Sequence, residues 1–172
     1  MAITRIGLNQ SINLASNVTG TLPTGNGGTG ATSFTAGKVI QIVSATTSSS
    51  TTISGQTFTS TALTANITPS SASNKIIVWC LGGEADTSAS GRGMQPSIFR
   101  DSTNIGNGTA GMNTIYAADS RIQGNPTVGI IDSPSSTSQI TYTLKIKGSA
   151  AGNVIFNANT CQATIILMEV TP

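Results

Sequence analysis

Glu84 and Asp86, two positions apart in GGEADTSASGRG, lie closer together along the chain than any other two carboxylates and are the first candidates for general acid–base chemistry. A carboxylate-pair hydrolase needs two such groups at a defined separation across the scissile bond. The other acidic residues, Asp101, Asp119, Asp132 and Glu169, each stand alone in their segments. Glycines precede the Glu84–Asp86 pair and serines follow it, so the stretch reads as an exposed loop rather than a catalytic centre. Histidine is absent, which excludes Ser-His-Asp and Cys-His catalysis and histidine-ligated metal sites. DSTNIGNG, residues 101–108, offers oxygen ligands for calcium but lacks the run of carboxylates that a dedicated loop uses. A hairpin turn accounts for Asp101 and Asn104. Cys80 and Cys161 sit in apolar, strand-like segments and read as buried free thiols, with a disulfide between adjacent strands as the alternative. No catalytic residue, cofactor or metal is expected, and the chain does not read as an enzyme.

GTLPTGNGGTG, residues 20–30, is the other stretch with chemical promise, as a phosphate-cradling loop. A Walker loop needs G-x-x-x-x-G-K-[ST] between a strand and a helix. Here Gly37-Lys38 is followed by Val39, and Thr32 occupies the position of the first glycine. The segment after Lys38 has a strand pattern, so no helix N-terminus is expected to hold an anion. The dinucleotide spacing fails too, because Gly28-x-Gly30 is followed by Ser33 at its last position.

Composition indicates the framework. Charged residues are only 8% of the 172 and hydrophobic ones 37%, against about 25% charged in an average soluble domain. Ser, Thr, Asn and Gly carry the polar role, while Ile, Val and Thr favour a pleated, half-buried surface. The eight basic and six acidic residues give a net charge of +2 and form no cluster, unlike the basic footprint of a nucleic-acid binder. Low charge provides little colloidal repulsion, which suits a protein held within a larger particle; the alternative is that hydroxyl and amide side chains suffice for solubility. MAITRIGLNQ has no continuous apolar core of the kind a signal peptide needs, and IIVWCL (76–81) and IILM (165–168) are too short for a membrane span. Synthesis in a cytosol is the expectation, with no nucleic-acid or membrane partner.

From about Lys38 onward, short strand patterns alternate with turn-rich runs. SQITYTLKIKG (138–148) is the clearest: Ile140, Tyr142, Leu144 and Ile146 fall on one face, and Thr141, Thr143, Lys145 and Lys147 on the other. KVIQIVSA, TFTSTALTANITPSS, MQPSIFRDSTNIGNG, NTIYAADS, PTVGIIDSP, AAGNVIFNAN and CQATIILMEV supply further strands, and SSSTTIS a loop or edge strand. SNKIIVWCLGGEA (73–85) is continuously apolar at its centre, which predicts a strand covered on both faces with Trp79 as a core anchor, a surface-exposed ligand platform being the alternative for Trp79. No segment shows a helical period. Roughly eight to ten strands at this spacing predict an all-β, antiparallel β-sandwich, jelly-roll-like, over residues 37–172.

Residues 1–36 differ. Their apolar residues, among them Ile6, Leu8, Ile12, Leu14, Val18 and Leu22, are too sparse to form a core alone and too regular for a random linker. They read as an extended arm whose burial comes from neighbouring copies, ending in a glycine-rich neck.

NLASNVTGTLPTGNGGTGATSFTAGKV (13–39) resembles a segment of bacteriophage tail-fibre and related virion appendage proteins, V-x-G-T-L-P followed by N-G-G-T-G and a change of fold. Val18, Gly20, Thr21, Leu22, Pro23, Asn26, Gly27, Gly28, Thr29 and Gly30 carry the match. ITPSSASNKIIVWCLGG, SIFRDSTNIGNG and TYTLKIKG more loosely resemble small β-sandwich domains of phage particles. The resemblance implies a homotrimer attached through its N-terminal arm to other virion proteins of tail or capsid, assembled in the bacterial host cytoplasm, with Gly20, Pro23, Gly27, Gly28 and Gly30 forming the neck. No shaft repeats are present, so the expectation is a short fibre or, alternatively, a capsid decoration or head-fibre protein. A stand-alone carbohydrate-binding module is the remaining reading. If a host-surface glycan is bound, loops 86–95 and 119–126 are the expected contacts, with Arg92, Gln95 and Arg121 the candidate side chains.

Overall fold

A computed structural model describes residues 38–172. The arm expected over 1–36, with Ile6, Leu8, Ile12, Leu14, Val18 and Leu22 and the neck residues Gly20, Pro23, Gly27, Gly28 and Gly30, lies outside the described residues.

The described chain is all β. Its strands are β1 (Val39–Thr47), β2 (Thr51–Ser54), β3 (Thr59–Ile67), β4 (Lys75–Gly82), β5 (Ala85–Asp86), β6 (Arg92–Arg100), β7 (Thr103–Asn104), β8 (Ile115–Ala117), β9 (Gln123–Gly124), β10 (Val128–Asp132), β11 (Ile140–Gly148), β12 (Asn153–Phe156) and β13 (Ala163–Val170). Every pairing between them is antiparallel. The first sheet has the order β1-β13-β4-β10, and the second β3-β11-β6-β7, with β8 also paired to β6. The chain crosses between these sheets in the connectivity of an antiparallel jelly roll. The predicted antiparallel sandwich is therefore present in the described residues 38–172, and the extra strands beyond the expected number are mostly pairings of two residues.

Those short pairings have a purpose in the architecture. β2, β5, β9 and β12 each lie on a connection between the two main sheets, and they pair with one another in the order β2-β12-β5-β9. A third, small sheet thus closes one end of the sandwich, built from connections that would otherwise leave backbone polar groups unpaired. At Gly82 and Gly83, φ is +72° and +73°, and a Cβ on Gly83 would lie 2.8 Å from Asn157 Oδ1. Only glycine turns β4 out of the first sheet this close to the β12–β13 connection.

Inward-facing residues follow the period of two. On β11, Ile140, Tyr142, Leu144 and Ile146 are buried while the residues between them are half-buried, as the alternation predicts. Leu63, Ala65 and Ile67 of β3, Ile76, Val78 and Cys80 of β4, Met94 and Ile98 of β6, and Ile165 and Leu167 of β13 complete the centre of the core. Each large aliphatic side chain buried in this way contributes about 1.5–3 kcal/mol relative to exposure. With so few aromatic residues, the core relies on branched aliphatics.

Candidate functional site

The small end sheet brings together the two loops singled out in the sequence. β5 pairs with β9, Ala85 opposite Gly124 and Asp86 opposite Gln123. Arg121 reaches back to Asp86 as a fork: Nε donates to Oδ1 at 2.8 Å and Nη2 to Oδ2 at 2.5 Å. The Ser88 backbone N–H adds a third bond to Oδ1 at 2.8 Å. Arg121's hydrogen bond, with the Ser88 N–H and the guanidinium charge, outweighs burial and holds the Asp86 carboxyl below its usual range.

Glu84 has separate partners. It accepts from the Asn159 backbone N–H at 3.0 Å and from Asn159 Nδ2 at 2.9 Å. Asn157 exchanges bonds with the Glu84 backbone, its Oδ1 accepting from Glu84 N at 3.0 Å and its own N donating to Glu84 O at 2.8 Å. The exposed loop expected here is corrected: Glu84 and Asp86 are both buried. The chain turns inward at Gly82 and Gly83, and partners remote in sequence satisfy both carboxylates. Each carboxylate is tied to its own partners, Asp86 to Arg121 and Ser88 and Glu84 to Asn159, and so joins loops remote in sequence.

Of the other candidate contacts, Arg92 lies at the start of β6, half-buried, donating to Ser88 Oγ at 3.2 Å and to the Asn153 carbonyl at 3.4 Å. Its guanidinium packs over Gly152, where a Cβ would lie 2.4 Å from Cζ. Gln95 is within β6 on the outer side of the second sheet, opposite Lys147. Arg92 and Arg121 therefore belong to the closed end and Gln95 to a sheet face. The loop predicted over 86–95 is split, with Asp86 in β5 and Arg92 to Gln95 in β6.

At the opposite end of the sandwich are two polar centres that sequence reading missed. Asp132 of β10 and Glu169 of β13 both flank Ile76 in the register of the first sheet, and both side chains are buried. Asp132 Oδ2 accepts from Tyr142 Oη at 2.6 Å, and both of its oxygens accept from Arg100 Nη1 at 2.9 Å. Tyr142 and Arg100 are register partners in the second sheet, so this cluster ties one sheet to the other. Burial and donation to Asp132 push the Tyr142 phenol well above its ordinary range. Glu169 accepts from Asn74 Nδ2, Gln41 Nε2, and the Ser70 N–H and hydroxyl, at 2.6–2.7 Å. Burial works to raise its pKa, but these hydrogen bonds prevail and bring it down to about 2. Both centres are clamps between strands and crossovers.

The outer side of the first sheet departs most from expectation. Trp79, expected as a core anchor, is 47% exposed. β4 alternates: Ile76, Val78 and Cys80 point inward while Lys75, Ile77, Trp79 and Leu81 point outward, so the double-covered strand is corrected to one covered on its inner face. The indole lies against Gly129 of β10, where a Cβ would lie 2.6 Å from Trp79 Cδ1. Trp79, Leu81, Thr127, Val128 and Gly129 line a shallow, mainly apolar groove of about 310 Å³. Cys80 and Cys161 are both free; Cys80 is buried, which pushes its thiol up to about 12, whereas Cys161 precedes β13 and is exposed. The expectation of two buried thiols thus holds for Cys80 alone. Among the described residues, no group of His, Cys, Asp and Glu is arranged to hold a metal ion.

No protein-family model matches the chain, and no curated protein matches it significantly. Among solved structures, it is similar to the VP2 subviral particle of infectious bursal disease virus, at 15% identity over 77% of this chain and 40% of that one, with a TM-score of 0.39. The T13 particle of the same virus matches at 13% identity over 98% of this chain and 41% of that one, TM-score 0.42. The chain spans about two fifths of the length of those proteins.

Proposed function

We propose that this protein is a non-enzymatic structural component of a bacteriophage virion, a short trimeric fibre or appendage. It attaches through the arm of residues 1–36 and projects the β-sandwich from the particle, where adhesion to the host surface is its role. The observation that carries this reading is the V-x-G-T-L-P and N-G-G-T-G segment, Val18 to Gly30, immediately before a jelly-roll-connected domain. Two further features support it. The buried carboxylates of the described domain are engaged in hydrogen bonds that hold strands and loops together. The low charge suits a chain embedded among other subunits.

A capsid decoration or head-fibre role is the second reading, favoured by the low charge and the jelly-roll connectivity, which suit a subunit packed against others on a particle. A stand-alone carbohydrate-binding module is less well supported. Trp79 is exposed, but apolar Leu81, Val128 and Gly129 surround it, with few groups to hydrogen-bond a sugar. Immunogold labelling of whole particles tests the proposal. Gold on the tail supports the fibre, gold on the head supports decoration, and unlabelled particles overturn both. Binding on a glycan array by protein that labels no particle would establish the module instead.

A further inference from the structure

We infer that the outer face of the β1-β13-β4-β10 sheet is the surface through which copies of this chain associate, packed inward around a common axis. This inference rests on the trimeric reading above and assigns the interface within it.

The register builds the face row by row. Ile42, Met168, Ile77 and Ile131 stand side by side across all four strands. The next row is Ser44, Ile166, Trp79 and Gly129, with the indole laid over the glycine. Val39 and Val170 extend the apolar surface toward the start of β1, and Lys75, beside Val170 at the margin, is the one charge on these outward positions among the described residues. Ile42 is 61% exposed, Ile131 63% and Trp79 47%. Apolar residues therefore span the sheet from one edge strand to the other, rather than being scattered singly.

Size and charge point to a second copy. β1, β13 and β4, of nine, eight and eight residues, and β10, of five, lie about 4.8 Å apart and rise about 3.4 Å per residue, which gives a flat footprint of about 500 Å². Before side-chain relief is counted, that is more than half of the ~800 Å² that each partner contributes to a stable complex. It lies toward the upper end of the roughly 300–600 Å² of the largest patch on an ordinary monomer, a patch that is often functional. A face of isoleucines and one indole, continued by the uncharged hydroxyls of Ser44, Thr46 and Thr164 and charged only at Lys75 on its margin, is matched by another of the same kind, since sheets stack face to face at about 10 Å through interlocking side chains. Copies of this chain supply such a face at equal stoichiometry. An acidic, basic or sugar-like partner would find almost nothing here to recognise.

Trp79 is the only tryptophan in the 172 residues, so its fluorescence reports on this face even if the arm also holds copies together. The test measures light scattering and acrylamide quenching on the full chain, on Ile131→Lys and Ile42→Glu, and on Thr143→Lys, which changes the opposite sheet. Far-UV circular dichroism checks that each variant is folded. A mass of three times 17.4 kDa with a shielded, blue-shifted Trp79 is expected. Ile131→Lys and Ile42→Glu should each produce a several-fold rise in quenching, and Thr143→Lys should leave it unchanged. A trimer whose Trp79 is freely quenched overturns this interface and leaves the trimeric reading intact. A monomer overturns both, and a monomer with shielded Trp79 shows that the chain covers its own face. If only one charge variant is folded, that variant decides the outcome.

Discussion

Across the outside of the first sheet, one row reads Ile42, Met168, Ile77, Ile131; across the outside of the second, the comparable row reads Thr64, Thr143, Phe99. Phe99 is 8% exposed although it faces outward, because Phe58 meets it edge-on at 5.4 Å between centroids and Lys145 Nζ lies 4.4 Å above its ring. Lys147 covers Phe58 in the same way, 5.0 Å from its centroid. The second sheet thus shelters Phe99 and Phe58 with its own lysines, whose apolar stems cover rings while their charges stay in water, and leaves only Tyr116 of its short strand β8 open among its described aromatics. The first sheet has no such cover among the described residues and leaves its isoleucines and its tryptophan open. The two inner faces are alike, both built from alternating branched aliphatics. The difference teaches that an outward apolar residue is informative only when the chain has not covered it.

Substitutions on the inner faces should have the largest effects and should not distinguish the sheets. Leu167→Ala in the first sheet and Leu144→Ala in the second each leave a cavity at a fully buried site and should cost about 2–5 kcal/mol in urea unfolding. A cost several-fold smaller on one sheet would break the symmetry argued for the interior.

Next in size is the clamp of the first sheet. Glu169→Ala strands the buried amide of Asn74, removes the acceptor of the Ser70 and Gln41 donors, and should cost about 1–3 kcal/mol. The folded-state pKa of Glu169 is lowered from 4.5 to about 2, so its contribution is complete above the unfolded value and is lost as pH falls through that interval. Acid titration of unfolding free energy should therefore steepen between about 4.5 and about 2 in the wild type. Glu169→Gln should flatten that part of the curve, and an unchanged curve would remove the clamp's role.

Smaller again is the exposed side of the fork at the closed end. Arg121 is half-exposed while Asp86 is buried, so Arg121→Ala should destabilise the fold less than Glu169→Ala in the same urea unfolding, chiefly by leaving the carboxylate without its forked partner. The smallest effect sharpens the contrast between outer faces: Thr143→Val and Ile131→Thr should each change unfolding free energy by within about 0.5 kcal/mol in the dissociated protein. Thiol labelling should likewise separate the cysteines, with Cys161 reacting in the native state and Cys80 only on unfolding, given its burial and raised pKa.

The all-β class, the antiparallel sandwich and the inward residues of β11 were legible from the amino-acid order, because alternation with period two is a local property of an extended chain. So was the absence of histidine-based chemistry. Glu84, Asp86 and Glu169 could not be read correctly from local context, because their partners lie 75, 35 and 95 or more positions away and become neighbours only when the jelly roll closes. Trp79 shows the same limit from the other side. IIVWCL is apolar at every position, and such a run fits both a strand covered on two faces and one whose second face stays open. The tertiary structure placed Trp79 over Gly129 on the open side. Hydrophobicity and period are carried by each short segment, but cover is supplied by whatever the rest of the chain brings across the face.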